Sequence, residues 1–159
     1  MSIVENTPDT SSRPRVTVAT LVERDGKFLM VEELDQAGRV VLNQPAGHVE
    51  GGESLLEAAI RETLEETGWH FEPSHLVGCY LWGKSSESLH YLRFAFAGRV
   101  SRHEPDRPLD DGILRAVWLS MDELKQEASR HRSPLVLQTV QDYLADECFP
   151  LSALKYLPG

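Results

Sequence analysis

Cysteines, long apolar runs and positive charge are all scarce in this sequence. The only two cysteines, Cys79 and Cys148, are isolated in spacing, which predicts reduced, partly buried thiols in a cytoplasmic protein. No segment approaches about eighteen consecutive apolar residues, so no transmembrane helix is predicted. The formal net charge of −9 argues against a nucleic-acid polymer or an anionic membrane as the main partner.

The first thirteen residues also lack the cationic start and the apolar segment of a signal peptide, so residues 1–13 are predicted to form a flexible tail. Hydrophobic residues make up 41% of the chain and charged residues 26%, as in a soluble globular protein. No internal repeat or low-complexity linker divides residues 14–159, and we therefore expect one domain there.

Local patterns predict strands that are interrupted by one central helix and followed by two more helices. Asp25-Gly26 is a strong turn signal for a first hairpin, and a second turn is predicted at residues 84–88. The predicted strands span residues 16–23, 28–31, 40–42, 76–82, 89–97 and 114–119, and a polar loop spans residues 101–112. Helices are expected after the capping pair Ser120 and Glu123 and over residues 135–144.

The most informative stretch is residues 45–69, PAGHVEGGESLLEAAIRETLEETGW. Ser54 and Glu57 form a capping-box pattern, and Gly68 suits the left-handed position that ends a helix. The helical period assigns an apolar side to the core, namely Leu55, Leu56, Ala59, Ile60, Thr63 and Leu64. Glu62, Glu65 and Glu66, at i, i+3 and i+4, converge on a different face that we expect to be open.

This acidic face carries no lysine to neutralise it, which indicates a bound cation. Carboxylate oxygens without cysteine or a histidine pair favour Mg²⁺ or Mn²⁺ over Zn²⁺. Gly47, Gly51 and Gly52 precede the helix and let the loop bring Glu50 and Glu53 towards the same cluster. The sequence therefore predicts a loop and helix that together form one metal site.

The spacing of these residues resembles the Nudix box. In that pattern five residues separate a glycine from a glutamate, and seven more separate the glutamate from Arg-Glu-apolar-any-Glu-Glu-any-Gly-apolar. Thr63 departs from the apolar preference but has the shape of valine. The resemblance implies an α+β fold, a mixed β-sheet between helices in an α/β/α sandwich. It also implies an enzyme that hydrolyses a phosphoanhydride in a small molecule, with Mg²⁺ as the cofactor.

Carried over residue by residue, the resemblance gives roles to the box residues. The metal ligands would be Glu62, Glu65, Glu66 and the backbone carbonyl of Ala46. The catalytic residues would be Glu62 as the first choice of general base, with Glu65 and Arg61. Arg61 would pair with neighbouring carboxylates, and the residues supporting the loop and helix would be Gly47, Glu50, Glu53 and Gly68.

Residues outside the box are candidates for binding substrate. Asp110 or Asp111 is either a further metal ligand or part of a solvated acidic turn. Trp82 could stack on a base or pyrimidine ring, and His90 is a weaker candidate. Alternation along HYLRFAFA places Arg93 on the less bulky face, where it either binds a phosphate or forms a surface ion pair.

Further segments narrow the resemblance to one subgroup of the family. GKFLMVEE, NQPAGHVE, YLRFAF and RSPLV are similar to the NudJ type of Nudix phosphatase, over about residues 15–151. That type implies nucleoside tri- or diphosphates, or a pyrimidine pyrophosphate of thiamine synthesis, as substrates and orthophosphate as a product. Two alternatives stay open: a pyrophosphatase for ADP-ribose or a similar compound, and a non-catalytic ligand sensor. The chain is expected to be a monomer or a homodimer.

Overall fold

The computed structural model describes residues 13–83 and 90–159, which form a seven-stranded mixed sheet flanked by helices. The strands are β1 Arg15–Arg24, β2 Lys27–Leu34, β3 Val40–Asn43, β4 Ala46–His48, β5 Trp69–Gly83, β6 His90–His103 and β7 Ile113–Ser120. The helices are α1 Leu55–Thr67, α2 Met121–Gln126 and α3 Leu135–Leu144. Most of the predicted tail, residues 1–12, and the predicted turn at 84–88 lie outside the described residues, as does residue 89.

The sheet has the order β3-β2-β1-β6-β5, with β4 paired to β1 and β7 paired to β2. β1 and β6 run parallel, whereas the other described pairings are antiparallel. The first hairpin turns at Asp25 and Gly26, which both have positive φ (52° and 75°), as their sequence predicts. The mixed sheet between helices confirms the predicted fold class.

Two apolar clusters occupy the two sides of the sheet. One contains Leu124 of α2 and Val136 of α3, and the other contains Ala58 and Ala59 of α1. The helix that carries the acidic residues therefore packs on the opposite side of the sheet from the later helices. Thr63 also faces this interior, where its hydroxyl hydrogen-bonds Thr20 (2.8 Å) and donates to the carbonyl of Ala59 (2.8 Å). Its departure from an apolar residue leaves no unpaired hydroxyl.

Two strands are longer than their local patterns predict. β5 begins at Trp69, directly after α1, instead of at residue 76, and β6 continues to His103 into the predicted loop. Register shifts interrupt β5 at three places along its pairing with β6, so its apolar residues do not alternate regularly. β4 was not predicted, because three residues are too few to show a pattern.

The faces of α1 also differ from the prediction. Ile60 is 37% exposed, whereas Glu62 and Glu66 are only 8% and 6% exposed. Two of the three acidic side chains are therefore largely buried, because they lie beneath β4, whose Ala46 N–H donates to Glu66, and the acidic face is less open than predicted. The core side of the helix is made by small residues, Ala58, Ala59 and Thr63.

Both cysteines are exposed, so their predicted partial burial is wrong. Cys79 lies on β5, at an edge of the sheet, and Cys148 follows α3. Within residues 13–83 and 90–159, no helix has both the length and the apolar character needed to cross a bilayer.

Candidate functional site

Helix α1 is held in place at both ends, as its sequence predicts. The Ser54 hydroxyl accepts a hydrogen bond from the Glu57 N–H (3.2 Å), and the Glu57 carboxylate accepts one from the Ser54 N–H (2.7 Å). At the other end Gly68 adopts the left-handed conformation (φ 72°), and its N–H donates to the Leu64 carbonyl (2.9 Å). These caps set where the acidic residues of the helix lie along the sheet.

Arg61 joins the helix to the preceding loop and to β4. Its Nε and Nη2 donate to the two oxygens of Glu53 (3.0 and 2.7 Å), and Nη2 also donates to the His48 carbonyl (3.0 Å). Its Nη1 donates to Glu62 (2.8 Å) and Glu65 (3.0 Å). The hydrogen bond to Arg61 lowers the pKa of Glu53, and the same bond raises the pKa of Arg61. One guanidinium thus orients Glu62 and Glu65 of the helix and connects them to Glu53 of the loop.

The Glu53 carboxylate also orders the loop itself. Its Oε1 accepts a hydrogen bond from the N–H of Glu50 (2.8 Å). The Glu50 side chain stays at the periphery, where its Oε1 lies 3.9 Å from Arg61 Nη1. Glu53 therefore connects the turn at residues 50–53 to the helix, whereas Glu50 contributes mainly through its backbone.

Replacing Arg61 by lysine should destabilise the protein. An ammonium group cannot hydrogen-bond both oxygens of Glu53 and the His48 carbonyl at once, as the planar guanidinium does. We expect a loss of about 1–3 kcal/mol, or a melting temperature lower by about 3–10 °C. Thermal unfolding in a metal chelator measures this effect. The control is Arg99→Lys, because Arg99 pairs with Glu72 at an exposed site (2.6 Å). Equal decreases in melting temperature for the two variants would contradict this stabilising role of Arg61.

Three carboxylates meet beside the helix. One oxygen each from Glu62, Glu65 and Asp110 lies within 4.8 Å of the others. Asp110 comes from the loop before β7, and its N–H donates to the Glu65 carbonyl (3.0 Å), which docks that loop on the end of α1. The structure thus places Asp110, and not Asp111, at the cluster.

Glu66 lies beside this group, outside the three that converge. Its Oε2 accepts a hydrogen bond from the Ala46 N–H (2.9 Å), while Ala46 itself lines the adjacent cleft. Burial raises the pKa of Glu66 well above its usual value, and the negative charges of Glu33, Glu62 and Asp110 add to this rise. Its role as a metal ligand, like that of the Ala46 carbonyl, stays a prediction.

The charge of the cluster is poorly balanced by the protein alone. Burial raises the pKa of Glu62, Arg61 opposes this rise, and the charges of Glu65 and Asp110 add to it. Such crowding penalises ionised carboxylates unless a cation neutralises them. The oxygen donors and their spacing fit a hard divalent cation such as Mg²⁺ or Mn²⁺.

Gly47 provides the space that Glu62 occupies. A Cβ atom placed on Gly47 would overlap the carboxyl carbon and both oxygens of Glu62. Gly68 is restricted as well, because a Cβ there would lie 2.8 Å from the Glu104 carbonyl oxygen. The two glycines therefore allow close approaches, one at the carboxylate cluster and one at the end of the helix.

The cluster opens into a cleft of about 770 Å³. Trp82, Tyr91 and Arg93 line this cleft, whereas His90 does not. The rings of Trp82 and Tyr91 are stacked, with centroids 6.1 Å apart and an interplanar angle of 24°. The predicted alternation along β6 is thus confirmed, since Tyr91 and Arg93 share the face that reaches the cleft.

Arg93 is buried, with 9% of its surface exposed. This burial contradicts the predicted alternative, in which Arg93 forms an ion pair at the surface. Burial lowers the pKa of Arg93 to about 10, while the charge of Glu33 opposes this fall. The guanidinium remains positive at neutral pH. Its contact with substrate stays a prediction.

Several residues of the cleft were not predicted from the sequence. They are Thr17, Glu33, Arg39, Asn43, His48 and Arg132. Arg39 is tied to Asp35 by its Nε (2.8 Å), and Arg132 lies 3.3 Å from Glu33. The polar loop at residues 35–39 was a visible signal for Arg39. Arg132 has no comparable signal, because it is brought to β3 by its N–H, which donates to the Leu42 carbonyl (2.9 Å).

Comparison with known proteins identifies the class to which this fold and site belong. The NUDIX domain family matches residues 11–138, so the chain belongs to the Nudix family and is a Nudix phosphohydrolase. It is 41% identical over 142 residues to the phosphatase NudJ of Escherichia coli strain K12, which covers 89% of this chain and 91% of that protein.

Solved structures agree with this classification. A NUDIX hydrolase from Nitrosomonas europaea is 49% identical, with a TM-score of 0.90 over 92% of this chain and 99% of that one. A MutT NUDIX hydrolase from Burkholderia pseudomallei is 20% identical, with a TM-score of 0.69 over 82% of this chain and 98% of that one, and shows a common fold.

Proposed function

We propose that this Nudix phosphohydrolase uses Mg²⁺ to cleave phosphoanhydride bonds in nucleoside tri- or diphosphates, or in a pyrimidine pyrophosphate, with release of orthophosphate. The observation that carries the proposal is the convergence of Glu62, Glu65 and Asp110 within 4.8 Å at the end of a large cleft. The 41% identity to a protein named as a phosphatase supports the release of orthophosphate.

The residues present fit a divalent metal. Glu62, Glu65 and Asp110 would hold it, with Glu66 and the Ala46 carbonyl as further ligands. A bound divalent ion neutralises phosphate oxygens and makes an attacking water more acidic. Mn²⁺ is expected to substitute, because both ions take oxygen ligands.

The side chains of the chain supply the rest of the chemistry. Glu62 is our candidate base, because burial raises its pKa and so increases its affinity for a proton from the attacking water. Arg61 holds Glu62 and Glu65 in position through its Nη1. Arg39 and Arg132 line the cleft and provide positive charge for an anionic substrate in a protein of net charge −9.

Mg²⁺ should raise the melting temperature of the folded protein, because it binds the carboxylate cluster of the native state and relieves its repulsion. At a tenfold excess over its dissociation constant, the gain is about 1.4 kcal/mol, or about 3–5 °C. Melting across millimolar Mg²⁺ at constant ionic strength measures this. In Glu62→Gln, Mg²⁺ should cause only a small part of this increase in melting temperature. A flat curve for the wild type would argue against a preformed metal site.

The function is tested by a substrate panel with Mg²⁺, in which orthophosphate and pyrophosphate are measured separately. The panel contains nucleoside tri- and diphosphates, ADP-ribose, a diadenosine polyphosphate and thiamine-related pyrophosphates. Orthophosphate from simple nucleotides or from pyrimidine pyrophosphates is the expected result. Turnover of ADP-ribose alone would keep the family and overturn the substrate class. Binding without turnover of any compound would indicate a sensor and overturn the enzymatic proposal.

The wider organisation of the protein is also part of the proposal. We propose that residues 14–159 form a single Nudix domain that acts in the cytoplasm on small molecules, as a monomer or a homodimer. The pairing of β1 near the start of the chain with β6 in its second half supports a single unit. Light scattering of the purified protein distinguishes the two oligomeric states.

A further inference from the structure

One wall of the cleft holds several buried polar atoms that have no hydrogen-bond partner among residues 13–83 and 90–159. They are Thr17 Oγ1, Asn43 Oδ1, and Nε and Nη1 of Arg93. These residues are 5%, 4% and 9% exposed, and all three line the cleft. Buried polar groups in proteins are nearly always paired. Three unpaired side chains in one wall therefore point to a ligand.

The backbone brings these side chains to the same place. Thr17 of β1 is the direct partner of Arg93 of β6, so their side chains project from the same face of the sheet. Asn43 ends β3, and its Nδ2 donates to Glu33 Oε1 (3.2 Å). Because Glu33 needs a donor, the amide is oriented with its oxygen free for another partner. Glu33 is itself held by Arg132 (3.3 Å).

The unpaired atoms include both donors and an acceptor. Arg93 offers two donor nitrogens, Asn43 offers a carbonyl acceptor, and the Thr17 hydroxyl can serve as either. A phosphate has only acceptors, so it would leave the Asn43 oxygen unpaired. It would also face the charges of Glu33 and Glu66, which influence the Arg93 guanidinium. A neutral group with an acceptor beside an N–H satisfies the whole set.

Nearby aromatic rings suit the same kind of ligand. Trp82 and Tyr91 line the cleft as a stacked pair, and Tyr91 lies two residues from Arg93 on the same face of β6. Aromatic side chains bind flat rings by stacking and leave the ring edge for hydrogen bonds. The ring edge of a nitrogen heterocycle carries an acceptor next to an N–H, as in an aminopyrimidine.

We infer that Thr17, Asn43 and Arg93 form a subsite that binds the hydrogen-bonding edge of a nitrogen heterocycle in the substrate, while the phosphoanhydride reaches the carboxylate cluster. Arg93 donates to the ring acceptor and Asn43 accepts from the neighbouring amino or imino group. The inference rests on the proposed function, since it assigns the part of the substrate that is not phosphate. Arg93 is then a residue of ring specificity and not a phosphate ligand.

Binding measurements without metal distinguish recognition of the ring from recognition of the phosphate. Calorimetry with cytidine and, separately, with inorganic pyrophosphate is done on the wild type, Arg93→Met and Arg99→Met. Arg99 lies on the same strand but is exposed, so it serves as the control. Arg93→Met should weaken cytidine at least about tenfold and pyrophosphate less than about twofold. An equal loss for both ligands, or no cytidine binding by the wild type, would overturn the subsite.

A second comparison does not depend on Arg93→Met being folded. Thr17→Val keeps the shape of the side chain, and a cytidine analogue without the amino group removes the donor meant for Asn43. The wild type should bind this analogue about tenfold more weakly than cytidine, and Asn43→Leu should bind both equally. Thr17→Val should weaken cytidine by about threefold. Equal affinity of the wild type for cytidine and for the analogue without the amino group would contradict the role of Asn43.

These results can be told apart from a failure of the proposed function. Ring binding that depends on Arg93, with no hydrolysis of any compound in the panel, would reject the enzymatic proposal and keep the subsite. Magnesium-dependent hydrolysis together with cytidine binding that is indifferent to Arg93 would keep the enzyme and reject the subsite.

Discussion

Glu62→Gln should reduce the rate of orthophosphate release by about 10²- to 10⁴-fold with Mg²⁺ present. The substitution removes a negative charge from the cluster with Glu65 and Asp110 and removes the candidate base. It keeps the size of the side chain, so the space under Gly47 remains filled. The rate is measured with the best substrate of the panel at saturating concentration.

The same variant should fold normally, because the lost charge is already penalised by burial and by its acidic neighbours. Thermal unfolding in a chelator should therefore show no loss of stability. The matched control is Glu72→Gln, since Glu72 pairs with Arg99 on the exposed side of β5 and β6. If the activity of Glu62→Gln were within threefold of the wild type, the assignment of Glu62 as metal ligand and base would be wrong.

Gly47→Ala should have the second largest effect, a loss of about 100-fold in rate. The new methyl group would occupy the position of the Glu62 carboxyl group, which must then move away from Glu65 and Asp110. Only the end of a flexible side chain has to shift, so we expect a much smaller change in stability than in rate. Steady-state kinetics and thermal unfolding of the same preparation separate the two quantities.

Gly51→Ala is the control for this experiment. Gly51 lies in the same loop, and a Cβ there meets no atom of the described part of the chain within 4 Å. Its backbone does not need the left-handed conformation that Gly52 adopts at φ 88°. Gly51→Ala should keep nearly full activity. If both alanine variants were equally active, the close approach of Gly47 to Glu62 would have no role in catalysis.

Local signals were sufficient for the helix and its ends. Ser54, Glu57 and Gly68 define α1 because caps depend on residues that are close in sequence. The family resemblance implied that Arg61 pairs with neighbouring carboxylates, and Glu53 and Glu65 are among its partners in the structure. The turn at Asp25 and Gly26 is local in the same sense.

Features that depend on distant parts of the chain could not be predicted in this way. The burial of Glu62 and Glu66 results from β4, a strand too short to have a pattern. The choice of Asp110 over Asp111 depends on a backbone hydrogen bond to Glu65, formed across the fold. The burial of Arg93 likewise requires the parallel pairing of β1 with β6, which no local pattern of either strand indicates.

The dependence of orthophosphate release on Mg²⁺ concentration tests the central claim most directly. The purified protein is first freed of metal with a chelator and then assayed with its best substrate as Mg²⁺ is added. A metal-dependent carboxylate site predicts no measurable release without metal, a saturable rise with Mg²⁺ and a similar rise with Mn²⁺. Full activity in excess chelator would contradict a role for Glu62, Glu65 and Asp110 as metal ligands in hydrolysis.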